Sequence, residues 1–224
     1  MTPSLVAGSS HAHGPGSSRG TATGAGSLLA PVAALDVLSL SLREADAVAH
    51  ALVHELHDLG GFDVEIATHV SHSGSLPHHV VTVSVDGLTD HEVHDVLHSV
   101  GLGFDVSGVL VDELFDGPPE LYDGIEAAVV EHEERTGGRV VVFPGDHLLV
   151  GTLTVGQALE SSALDRIALI TGAEADRETA LVTRSFVRPL WERGELVLHT
   201  QPAVGGTLVP FETPFPTPCC ADHA

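Results

Sequence analysis

Two four-residue stretches fix most of what this chain can fold into. Ser41-Leu42-Arg43-Glu44 and Thr89-Asp90-His91-Glu92 each carry a hydroxyl and, three residues on, a carboxylate. This is the capping box that opens an α-helix: each of its two side chains accepts a backbone N–H that the first turn leaves without a partner. Apolar residues then recur at helical spacing, as Ala45, Val48, Ala49, Leu52 and Leu56 after the first box and Val93, Val96, Leu97 and Val100 after the second. Gly60-Gly61 and Gly101 close the two helices. Between and around them lie extended segments. Leu35–Leu40 and Phe104–Val111 flank the pair, while Phe62–Ile66 and Val81–Val85 alternate apolar with polar residues across a turn at Ser73–Pro77.

The resulting order, βαββαβ, predicts a ferredoxin-like unit over 35–115, with both helices on one face of a four-stranded antiparallel sheet. In arrangement alone it resembles small-molecule-sensing regulatory modules of the ACT type. Ser41-Leu42-Arg43 stands where such modules often carry a glycine.

An acidic connecting helix is expected within 116–138 and a mixed α/β part over 139–224, so the expected class is α+β. In the second part Val140–Phe143 and His147–Val155 read as strands. Leu164–Thr171 reads as strand or helix, Glu174–Val187 as a helix, and Glu195–His199 with Thr207–Phe211 as a hairpin. Residues 1–34, rich in Gly, Ser, Ala and Thr, are expected to form a disordered tail, because they offer too little apolar surface to offset ordering entropy.

Charge narrows the partners. The chain has no lysine, which excludes Schiff-base chemistry and a P-loop lysine. Leu35–Glu134 holds 21 acidic residues against Arg43 alone, and Arg135–Ala224 holds ten against seven arginines. The first part should therefore repel nucleic acid and anionic lipid. No apolar run reaches the roughly 20 residues of a membrane span, and no secretory signal pattern opens the chain, so a cytoplasmic protein is expected. The two cysteines are adjacent, which rules out a disulfide framework.

Histidine is abundant, at 16 residues. His50, His54 and His57 fall within about 60° of arc on the first helix, and His91, His94 and His98 do so on the second. His69, His72, His78 and His79 flank the turn between them. Imidazoles at such spacing suit Zn²⁺, Ni²⁺ or Cu²⁺, fill solvent-exposed positions in a chain without lysine, or act together as a pH sensor. Cys219, Cys220 and His223 add a soft-metal or redox tip. Arg177, Arg184 and Arg188 are expected to share a helix face and to clamp an anion or dock on the acidic first part. Asp146-His147 is a weak acid–base pair. The leading expectation is transition-metal trafficking, storage or sensing. The alternative is a small-molecule-sensing or self-associating regulatory module with a protein partner, and an enzyme of unknown class comes third.

Overall fold

A computed structural model of the chain describes Met1 and residues 31–214. The expected tail falls almost wholly outside the described residues, as do Cys219, Cys220 and His223. The first strand, β1, is Val32–Ser39, so Val32, Ala33 and Ala34, expected in the tail, belong to the sheet. There follow α1 Leu42–Asp58, β2 Phe62–Ser71, β3 His78–Asp86, α2 Asp90–Gly101 and β4 Gly108–Val111. Then come β5 Leu114–Asp116, α3 Tyr122–Glu133, β6 Arg139–Val142, β7 Thr152–Thr154, α4 Val155–Ser161, β8 Arg166–Leu169, β9 Ala180–Val182, β10 Leu190–Glu192, β11 Glu195–Ala203 and β12 Thr207–Pro210.

Both capping boxes form. Ser41 accepts from the Glu44 N–H and Thr89 from the Glu92 N–H, with each glutamate reaching back. The buried side of α1 is the stripe read from the sequence, Ala45, Val48, Ala49, Leu52 and Leu56. Together with Val93, Val96 and Leu97 of α2 it packs on Leu35, Ile66, Val81 and Val83 of the strands. The opposite sheet face, Ala34, Val80 and Leu110, is covered by Leu121, Ile125 and Ala128 at and after the start of the acidic connecting segment. A buried leucine is worth about 1.5–3 kcal/mol, so these two layers supply much of the apolar drive for the fold.

One mostly antiparallel sheet runs through the protein in the order β5-β4-β1-β3-β2-β6-β10-β11-β12-β9-β7, with β8 beside β11. Only β8–β11 and β9–β12 pair in parallel. β6 lies against β2 and against β10, so the sheet passes from the first part into the second without a break. The second part has its own core, including Phe143, Leu149, Leu164, Ile167, Leu181, Trp191 and Leu198.

Two expectations fail here. Glu174–Val187 is not a helix. Asp176 closes a turn by accepting the Glu178 and Thr179 N–H groups, Ala180–Val182 is strand β9 between β7 and β12, and Arg184 and Ser185 both take positive φ. A helix cannot continue through two left-handed residues. Arg177, Arg184 and Arg188 therefore share no helix face. Of the strand expected over His147–Val155 only Thr152–Thr154 forms: Asp146–Leu148 is a 3-10 turn, and Thr154 and Gln157 form a third capping box that opens α4.

Close packing requires glycine at two positions. A Cβ on Gly124 of α3 would lie 2.0 Å from the Ser73 hydroxyl. One on Gly138 would lie 2.5 Å from the His69 ring, and the φ of +107° there also favours glycine. Both contacts bring α3 and its exit down onto β2.

Candidate functional site

His54 and His57 are exposed on α1, and His54 sits 3.4 Å from Asp58. His91 faces Asp95 at 3.7 Å. His94 and His98, one turn apart, stack with ring centroids 5.9 Å apart, and His98 Nδ1 lies 3.4 Å from Asp116. His72 is exposed beside the turn. β2 and β3 extend past their expected ends, which draws His69 and His78 into the sheet, where both are buried. His78 Nε2 meets the fully buried Asp36 at 2.8 Å. Among the described residues no three His, Cys, Asp or Glu side chains gather as a metal-holding group.

A cleft of about 1040 Å³ lies beside α1. Leu42, Arg43, Asp46 and His50 line it from the helix side, Arg139 and Val141 from β6, and Asp146, His147, Leu149 and Val150 from the segment after it. Ser185–Arg188 and Phe211–Pro214 complete it. His50 and the Asp146-His147 pair thus meet at one site, with 3.8 Å between the latter two.

Four charges floor the cleft. Arg139 NH1 and NH2 donate to the two Asp46 oxygens at 2.6 and 3.2 Å, and its Nε donates to Glu212 at 2.7 Å. Arg188 donates to Asp46 through Nε at 3.2 Å and NH2 at 3.1 Å. Two guanidiniums and two carboxylates thus balance in a site where Arg139 and Arg188 are 9% exposed. Burial pushes the Asp46 carboxyl up, but the hydrogen bonds and charges of both arginines outweigh it and hold Asp46 below the ordinary carboxylate value. Burial likewise opposes the Arg139 charge, and the Glu212 and Asp46 hydrogen bonds more than offset it. Burial lowers Arg188 despite Asp46. His79, behind the floor, is pushed below the ordinary imidazole value by burial, then by Arg139 and His78.

Comparison with protein-family models, with curated proteins and with solved structures finds no match. The chemistry of the cleft must therefore be read from its own residues.

On the opposite face of the sheet lies a second polar cluster. His69 Nδ1 is 2.9 Å from Glu131, and its Nε2 is 3.0 Å from the Thr82 hydroxyl. The same hydroxyl is 2.7 Å from His132 Nδ1, and His132 Nε2 is 3.1 Å from Glu65. Arg135 approaches Glu65 at 3.9 Å and stacks 4.1 Å over the Trp191 ring. This chain pins α3 to β2 and β3 beneath α3, away from the cleft.

The sequence reading missed Asp46, Arg139, Glu212, Glu65 and His132. One signal for Arg139 was present: a lone charge opening the apolar run Val140-Val141-Val142-Phe143, directly after two glycines. A strand buried on both faces carries such a charge only where a partner waits. Among the described residues no helix is long and apolar enough to cross a membrane.

Proposed function

We propose that this protein is a small-molecule-binding module, a sensor or carrier, whose ligand occupies the cleft beside α1. The observation that carries the reading is the cleft itself. Its volume of about 1040 Å³ lies at the upper end of small-molecule sites, its walls are largely apolar, and a few charged groups converge on its floor. The N-terminal strands support the regulatory reading. β4-β1-β3-β2 is the strand order of a ferredoxin-like unit, and α1 and α2 pack into one apolar cluster with it. We read residues 32–111 as such a unit, with the cleft where α1 meets the second part. His147 is 75% exposed and lies 3.8 Å from its neighbour Asp146, and we place binding ahead of catalysis.

The test is thermal unfolding of the full chain against a panel of small metabolites. A ligand at 100 times its dissociation constant adds about 2.7 kcal/mol, a rise of about 5–10 °C for a protein of this size. Val150 lines the cleft and is 53% exposed, so Val150→Trp fills the space without entering the core. That variant is expected to unfold as the wild type does and to lose the ligand-induced rise. A rise that survives the tryptophan places the ligand elsewhere.

Transition-metal binding stands as a second reading on one observation. His94 and His98 lie at the i, i+4 spacing of a helical chelate with Asp116 nearby, and His94 Nε2 is buried with no hydrogen-bond partner among the described residues. Zn²⁺ titration of the full chain is expected to show at least tenfold weaker binding in His98→Ala, with Cys219→Ser/Cys220→Ser measured beside it. Unchanged affinity in His98→Ala ends the reading for this helix.

A further inference from the structure

Arg139 is gripped on two sides by carboxylates of different standing. Asp46 belongs to α1, its side chain is 15% exposed, and it serves Arg188 as well. Glu212 serves Arg139 alone, through Nε and NH2. It is 31% exposed, lies beyond β12 on residues 211–214 outside any helix or strand, and lines the cleft. The outward edge of the guanidinium is thus filled by a carboxylate that the chain supplies from a short irregular segment. A guanidinium edge of this kind is shaped for two parallel hydrogen bonds to one carboxylate. Arg43 lies exposed at the rim with no ion-pair partner among the described residues. Apolar walls from Leu42, Val141, Val150, Phe186 and Val187 face the same space.

We propose that Glu212 holds the place of a ligand carboxylate, and that the cleft takes a small molecule with an apolar body and one carboxylate, which displaces Glu212 from Arg139. The exchange is like for like in charge, so the paired floor of the cleft stays neutral while the apolar body gains its contacts. The released Glu212 turns to solvent with residues 211–214, which carry it. This assignment rests on the reading of the cleft as a binding site.

The experiment titrates the full chain with phenylacetate, indole-3-acetate and hexanoate, and with the corresponding neutral amides, in wild type and Glu212→Gln. The wild type is expected to prefer each carboxylate over its amide. Glu212→Gln removes the internal competitor and is expected to tighten the carboxylates about tenfold while leaving the amides unchanged. Equal binding of acids and amides, or no tightening in Glu212→Gln, overturns the assignment and leaves the cleft reading standing if Val150→Trp abolishes both. No binding of any probe to either protein overturns both. Should Glu212→Gln fail to fold, the Arg139 Nε–H signal of the wild type decides by NMR. Addition of a carboxylate is expected to shift it and its amide to leave it in place, and a signal unmoved by both overturns the assignment.

Discussion

Asp46→Ala is expected to cost about 3–5 kcal/mol of stability, the range seen when one partner of a buried charge cluster is removed. The midpoint of thermal unfolding should fall by about 6–20 °C. Among the described residues Asp46 is the only carboxylate that both Arg139 and Arg188 contact, and it stands between two guanidiniums that are each 9% exposed. Without it, two buried positive charges share Glu212 alone, and Glu212 reaches only Arg139. The loss falls on the architecture as well as on the site, because Asp46 lies on α1 while its partners lie on β6 and just before β10. Glu212→Ala should cost less, since that side chain is 31% exposed and water can replace it at the guanidinium. Asp58→Ala on the same helix is the control. Asp58 is 69% exposed and pairs only with His54, so its removal should change stability by less than about 0.5 kcal/mol. The pH dependence has a fixed sign. The carboxyl of Asp46 is held below its model-peptide value of 3.8 in the folded protein. Its contribution is therefore complete above that value and fades as pH falls below it, so wild type and Asp46→Ala should converge in acid. Urea unfolding at pH 7 and pH 3 measures this, and a loss under 1 kcal/mol at pH 7 would sink the account.

The contrast between what could and could not be read in the sequence follows from range. Ser41 with Glu44, and Thr89 with Glu92, act over three residues, so their helices start where the sequence places them. The α1 stripe is equally local. Thr154 with Gln157 carried the same signal for α4, but the apolar run before it reads as a strand and masks the cap. Glu174–Val187 misled because Arg177, Arg184 and Arg188 recur at helical spacing, whereas Arg184 and Ser185 take left-handed backbone in a turn that Thr183 closes by accepting the Ser185 and Phe186 N–H groups. The cleft lay beyond local reading. Asp46 meets Arg139 across 93 residues and Arg188 across 142, and no spacing rule links them. Histidine count was legible, but burial was not. His69 and His78 looked like turn residues because the strands that bury them continue through polar positions, where the partners are Glu131, Thr82 and Asp36.

Those buried imidazoles lead to the second large effect, centred on Thr82. Four contacts join Glu131, His69, Thr82, His132 and Glu65 in a row. The two carboxylates bring acceptors only, so each contact needs a proton from a ring or the hydroxyl. Glu131 is 51% exposed and Glu65 is 10% exposed, so the row runs from the surface into the interior. Thr82 is thus the joint on which both rings depend. Thr82→Val keeps the side-chain shape and removes the hydroxyl, leaving a nitrogen of His69 and one of His132 buried without a partner. Each such loss costs about 1–3 kcal/mol, so about 2–5 kcal/mol is expected in urea unfolding. Thr82→Ser keeps the hydroxyl and should retain most of the stability, which separates hydrogen bonding from packing. Burial pushes His69 below its model-peptide value of 6.5, with the Glu131 hydrogen bond opposing it and a charge on His132 reinforcing it. A ring held below its unfolded value resists the proton that the unfolded chain accepts. Its contribution is therefore complete above pH 6.5 and declines as pH falls through that value toward the folded pKa. Stability of the wild type should accordingly drop between pH 7.5 and pH 5.5, and His69→Gln should flatten that slope. A Thr82→Val protein as stable as the wild type, or a His69→Gln slope as steep, would mean that α3 is held to the sheet by its apolar side alone.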